Sequence, residues 1–320
     1  MPFGERDINQ MRFRVAELIR PAYGAAMHDK ATLRPFLATL LGVALLSLMD
    51  VFMKNASLAV GAYSTLVFRH FVGIALTVPA YVASRPVRPD ARTLRLHALR
   101  GGAAAFTSLT FFSALVILPL AEAIALSFIS PLVALALAAL ILKEKIRRSA
   151  IWAALLGLAG VGVIIAGRIG GERMTDEAWM GIGLVLISAL TYAWNLILQR
   201  QQALRAKPLE IAAFQSSTIT LFLLPAAPWF LALPPADAWF DIAAAAVLGV
   251  AGGLVLAWSY ARAEAQVLVP VEYSGFIWAV LFGWTMLGEP LRIATAAGAM
   301  LIIGGCWIAA PRRRPEQAAL

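Results

Sequence analysis

The sequence has one cysteine, three histidines and charged residues at only 14% of its length. Each scarcity removes a class of function. The lone thiol, Cys306, excludes an intramolecular disulfide and any thiolate metal cluster, and it reads as a small packing residue. His28, His70 and His97 fall in the N-terminal tail, an apolar run and a basic segment, too scattered for a metal site. A glycine-rich phosphate loop ending in lysine is missing, which excludes direct ATP hydrolysis. An intramembrane prenyl- or acyltransferase would need a carboxylate cluster or a histidine-acid motif at the interface, and neither occurs. An ion channel would need symmetric rings of polar or charged residues, and this asymmetric chain offers none. The chain therefore reads as a non-enzyme that uses no metal and no cofactor.

What is abundant is apolar surface. Hydrophobic residues make up 61% of the sequence, against about 45–50% apolar and about 25% charged residues in soluble domains. They gather into runs long enough to cross about 30 Å of hydrocarbon at about 1.5 Å per helical residue. The runs are 35–56, 62–83, 101–119, 121–142, 149–167, 178–199, 211–233, 242–261, 265–287 and 293–310. They are continuously apolar rather than alternating, so helices are expected and barrel strands are not. The predicted fold class is an all-α integral membrane protein with ten transmembrane helices.

A net charge of +9 would suit a nucleic-acid partner if it formed one patch, but the basic residues flank the runs. With the N-terminus cytoplasmic, 22 of the 27 lysines and arginines lie on the inner side. Three, Arg168, Arg173 and Arg292, lie outside, and Lys54 and Arg69 sit within runs. That asymmetry predicts both termini in the cytoplasm of a bacterial-type inner membrane, with the bilayer as partner and no nucleic acid. Residues 1–34 form a basic tail without the apolar core of a secretory signal. Ile8, Met11, Val15, Leu18 and Ile19 permit a surface-lying amphipathic helix. A disordered tail, or a start at Met27, are the other readings.

Ile141-Leu142-Lys143-Glu144-Lys145-Ile146-Arg147 is echoed 145 residues later by Met286-Leu287-Gly288-Glu289-Pro290-Leu291-Arg292, and the same offset carries Gly160 onto Gly305. Five runs in each half, an odd number, force the second half to enter the membrane from the opposite side. The organisation expected is a tail 1–34, a first repeat 35–167, an outer linker 168–177, a second repeat 178–310 and a tail 311–320. Inverted repeats of this kind suit alternating access to a central site.

The stretch AEAIALSFISPLVALALAALILKEKI, its counterpart VPVEYSGFIWAVLFGWTMLGEPL and the opening SLMDVFMKNAS resemble the EamA-type repeats of the drug/metabolite transporter superfamily. The likeness spans about residues 35–310. It implies ten helices around a central cavity lined mainly by spans 1, 3, 4, 6, 8 and 9, with transport by exchange of the two halves. Members carry amino acids, S-adenosylmethionine, riboflavin, purines and other metabolites, so the resemblance leaves the substrate open.

Charge within the apolar runs is expensive, about 2.5–3.5 kcal/mol near the bilayer centre, and so marks candidate function. Asp50 and Lys54 lie four apart on one helical face; they read either as a structural ion pair with Lys54 reaching outward or as a cavity or gating pair. Asp50 and Arg69 lie at equal depth in the first hairpin, which predicts that Arg69 and Lys54 compete for Asp50. Glu272 follows Pro270, whose ring removes a backbone donor, so a kinked helix beside a carboxylate is expected there. Ser127, Ser130 and Pro131 form the matching polar break of the first half. Tyr192, Trp194, Asn195 and Tyr273 are candidates for the cavity wall, whereas Trp258 and Tyr260 read as interfacial aromatics. The function expected is a secondary transporter, exporter or importer, of a small polar metabolite such as an amino acid, working as a monomer or dimer. A non-transporting membrane receptor or a lipid scramblase is the alternative.

Overall fold

The structure is a computed structural model and describes residues 30–85, 88–130, 132–133, 148–171, 175–203, 205–260, 262, 268 and 271–309. Those residues form helices and short connections, with no strand among them. The helices are α1 (Lys30–Val60), α2 (Ala62–Ala83), α3 (Ala91–Ile117), α4 (Leu120–Ser127), α5 (Arg148–Gly171) and α6 (Asp176–Ala203). They continue with α7 (Pro208–Leu223), α8 (Ala238–Tyr260), α9 (Ser274–Leu287) and α10 (Ile293–Ala309). Beyond α7 the chain tightens into a 3-10 turn, Leu224–Ala226, and one turn of α-helix, Ala227–Phe230, where Pro225 and Pro228 lack backbone donors.

Six of the helical segments are long and apolar enough to cross a membrane. Large apolar side chains such as Trp229, Phe240, Trp284 and Met300 stand exposed on the surface, the arrangement of a protein whose solvent is lipid. The chain is a multi-pass membrane protein.

Local chemistry sets several boundaries. Gly61, at φ 82°, turns the chain between α1 and α2, and Gly288, at φ 66°, ends α9 in the left-handed conformation that lacks a Cβ penalty. Asp90 caps α3 by accepting from the Thr93 N–H at 2.8 Å, and hydrogen bonding from Thr93 holds its carboxyl below the ordinary carboxylate value. This cap starts α3 ten residues earlier than the expected span at 101. Arg92, Arg95, His97 and Arg100, expected in a basic loop, are therefore helical. The polar side of that first stretch turns inward: His97 and Arg100 are buried against α6 and α7.

Small residues let the helices close on one another. At the α5–α10 crossing a Cβ on Gly160 would stand 2.6 Å from the Gly298 carbonyl oxygen, and one on Gly298 2.5 Å from that of Gly160. At α1–α8 the same holds for Gly42 and Gly252, each 3.3 Å or less from the other's carbonyl. The α3–α6 contact adds polar bonds, Thr107 to the Thr191 hydroxyl at 2.8 Å and Ser188 to the Thr107 carbonyl at 3.1 Å. Further packed pairs include α2 with α7, α3 with α7, α2 with α8, α1 with α9, and α4 with α6 and α9.

Candidate functional site: the junction of two broken helices

The centre of the bundle is built where two helices lose their regular ladder. After α4 the chain turns at Phe128 and Ile129, with Ile129 N–H reaching back only to Leu126. Before α9, Val271 and Glu272 are helical, Tyr273 forms a turn, and Phe276 N–H bonds Tyr273 at 3.2 Å. Pro131 and Pro270, the expected causes, lie outside the described residues. The two breaks meet: the Phe128 and Tyr273 rings pack edge to face with centroids 5.2 Å apart and planes at 89°. The 145-residue offset carries Phe128 onto Tyr273, so the signal for this pair was present in the sequence.

Glu272 lies beside this junction and accepts a hydrogen bond at Oε1 from the Tyr260 hydroxyl at 2.5 Å. Tyr260, expected as an interfacial aromatic, instead holds the carboxylate. Tyr192 stands within electrostatic reach of both Glu272 and Arg100, yet it is 41% exposed. Its helical face is that of the buried Val185, Ser188 and Ala189. Asn195 is buried, with its Oδ1 unpartnered among the described residues. Trp194 follows Tyr192 by two residues, about 200° around the helix, and is exposed on the opposite face. Ser127 and Ser130 donate to the Ile124 and Ser127 carbonyls, so their hydroxyl protons are engaged within their own segment.

The end of the bundle where α1 meets α2 is closed by charge. Lys54 does not pair with Asp50. It reaches the Leu118 carbonyl at 2.7 Å and the Glu289 carboxylate, and Glu289 in turn accepts from the Leu120 N–H at 2.7 Å. One carboxylate thus ties the α9–α10 loop to α1 and to the first turn of α4. Arg168 and Glu122 pair nearby at 2.8 Å. Asp50 and Arg69 attract each other electrostatically but form no ion pair within 4.0 Å. Arg69 turns to the Met49 sulfur at 3.0 Å and packs in the notch at Gly249. Arg69 thus lies within electrostatic reach of Asp50 without pairing with it, and Lys54, expected to compete for Asp50, goes to Glu289.

At the opposite end a chain of buried hydrogen bonds joins α3, α6 and α7. Arg100 donates to Oε1 of Gln202, which orients the Gln202 amide so that its NH₂ faces His97 Nδ1 at 2.5 Å. His97 then carries its proton on Nε2, 3.1 Å from Glu210 Oε1. The Phe214 ring stacks on His97 at 4.3 Å. Sequence reasoning missed Arg100, Gln202 and Glu210, whose partners lie over a hundred residues apart.

Two interrupted helices meeting beside a carboxylate within a lipid-facing bundle, with a buried ion pair tying one end, point to the class of membrane carriers. The profile of the EamA-like transporter family matches residues 33–166 and again 179–310. The chain belongs to that family and is a transporter. It is 26% identical over 265 residues to the pseudopaline exporter CntI of Pseudomonas aeruginosa, spanning 81% of this chain and 90% of that one. It is 23% identical to the S-adenosylmethionine uptake transporter of Rickettsia prowazekii, over 82% of this chain and 88% of that one. A solved crystal structure shares the fold with a TM-score of 0.57 at 23% identity, covering 85% of this chain and 96% of the other.

Proposed function

We propose that the protein is a secondary carrier of a small polar metabolite, such as an amino acid or a related compound, in a bacterial inner membrane. It works by alternating access to a site at the Phe128–Tyr273 junction. In this reading α1 to α10 are ten spanning helices, arranged as inverted halves 35–167 and 178–310 with both tails cytoplasmic. The end sealed by Lys54 and Glu289 then faces outward.

Three observations support two exchangeable halves. The family profile matches twice. Advancing each helix label by five, with the count returning to α1 after α10, maps α1–α8 onto α6–α3, α2–α8 onto α7–α3 and α1–α9 onto α6–α4, all of which are packed pairs. The third is the meeting of Phe128 with its 145-offset counterpart Tyr273. The observation that carries the function is this junction, with a carboxylate beside it. Broken helices at a repeat interface are where carriers place polar solutes, because freed backbone groups and charges need a partner other than lipid. The relatives include an exporter and an uptake transporter by name, so direction is set by the solute gradient and by coupling rather than by the fold.

Counterflow in proteoliposomes tests the proposal. Liposomes preloaded with the twenty standard amino acids should take up a radiolabelled trace of the same mixture faster than protein-free liposomes. Uptake at the protein-free rate with that mixture, and with nucleosides and flavins in its place, would overturn the carrier reading and favour the receptor or scramblase.

A further inference from the structure

We propose that Gln202 is a proton-sensitive latch between α3 and α6, closed while His97 is neutral and loosened when His97 takes up a proton. The latch rests on a conflict of donors. His97 and Arg100 stand three residues apart on one face of α3, and both grip the amide of Gln202 on α6. Arginine offers donors only, so its bond turns the Gln202 oxygen to the guanidinium and leaves the NH₂ for His97 Nδ1, 2.5 Å away. That nitrogen must be a bare acceptor.

A protonated imidazole donates at both ring nitrogens, so turning the ring over changes nothing. Its N–H then faces the Gln202 NH₂, donor against donor. Turning the amide over instead hands its oxygen to His97 and its NH₂ to the Arg100 guanidinium. Gln202 keeps one of its two α3 partners, and a second positive charge stands three residues from Arg100. All three side chains are buried, His97 at 2%, Gln202 at 1% and Arg100 at 6% exposed, so bulk water does not replace the lost partner.

The contact with α7 moves the other way. His97 Nε2 keeps its hydrogen toward Glu210 Oε1 at 3.1 Å, and protonation turns that contact into an ion pair. Phe214 of α7 stacks on the imidazole at 4.3 Å, and Tyr81 of α2 meets Phe214 at 5.9 Å. Among the described residues the other charges at this end, Asp90, Arg92 and Arg205, attract one another around the cap of α3, about two turns from His97. Histidine is the side chain that ordinarily changes charge between about pH 5 and 8, so acid should free α6 from α3 while holding α3 to α7. In the carrier reading this end must part when Lys54 and Glu289 tie the other, and the latch makes that opening pH-dependent. That consequence, though not the latch itself, rests on the carrier reading.

The test measures two distances by double electron–electron resonance on full-length protein in nanodiscs, with no solute present and Cys306→Ser as background. Spin labels on Arg95→Cys and Gln201→Cys, both exposed positions, span α3 and α6. Labels on Arg95→Cys and Lys207→Cys span α3 and the N-cap of α7. From pH 8 to pH 5 the first distance should lengthen by about 2 Å or more, the scale of helix shifts at interfaces, and the second by less. His97→Gln has no proton to gain and should hold the first distance constant. Gln202→Glu accepts from Arg100 and from protonated His97 at once, and should hold it constant or shorten it. A first distance that stays fixed in the wild type, or lengthens no more than the second, overturns the latch even if neither variant folds. Lengthening that persists in either variant overturns it too. Because no solute is present, these outcomes stand apart from counterflow, which decides the carrier.

Discussion

Glu289→Gln keeps the shape of the side chain at the α9–α10 loop and removes only its charge. The amide oxygen can still accept from the Leu120 N–H, as the carboxylate does at 2.7 Å. Lys54, 6% exposed, is then left with the Leu118 carbonyl alone. Stranding one member of a buried ion pair typically costs about 3–5 kcal/mol. At roughly 2–4 °C per kcal/mol, the scale for mid-sized soluble domains, the Tm in detergent should fall by about 6–20 °C. Lys54→Met in the same background removes the stranded charge and should restore part of the loss. The cycle should therefore show a coupling of about 2 kcal/mol or more. Intrinsic fluorescence from the nine tryptophans follows the melt. A single-variant shift below about 2 °C, or strictly additive effects, would refute the view that this pair holds α1 to the α9–α10 loop.

Glu272→Gln should reach the membrane and melt near the wild-type temperature, since the amide still accepts from Tyr260, but counterflow should drop about tenfold or more; normal transport at every pH would make Glu272 structural. Asp50→Asn with Arg69→Gln should show a coupling smaller than that of Lys54 with Glu289, because Arg69 has turned to Met49; a larger coupling in the same melting assay would reverse that ranking. Gly160→Val places its Cβ on the Gly298 carbonyl oxygen, and should prevent accumulation of monodisperse protein, while Gly162→Ala, which meets nothing within 4 Å, should be silent. Equal behaviour of the two variants on gel filtration would mean that α5 and α10 do not pack as described.

The helices and the lipid-facing surface were legible in the sequence because both follow from hydrophobicity along the chain. So was the place of Glu272 next to an irregular stretch. What escaped has a common physical origin. The partner of Lys54 lies 235 residues away, and helical spacing orders residues by depth and face within one helix, not by which helix stands opposite. Arg100 was assigned to a loop because an arginine ends an apolar run, whereas the Asp90 cap carries α3 through it and Gln202 accepts from it inside the bundle. Tyr260 looked interfacial from its place at the end of α8, and only the return of α9 brings Glu272 to its hydroxyl. Phe128 was latent in the repeat offset, but an apolar ring in an apolar run announces nothing until its counterpart is seen against it.

Alternating exposure of the junction is tested most directly by a single cysteine at its edge. Ser127→Cys, in a Cys306→Ser background, is treated with a membrane-impermeant maleimide from either side of oriented vesicles. The account predicts labelling from both sides, and labelling from the cytoplasmic side alone once Lys54→Cys and Glu289→Cys are cross-linked to hold the outer end shut, with the cross-link formed before Ser127→Cys is exposed to the reagent. Labelling from neither side, or outer labelling that persists after the cross-link, would contradict it.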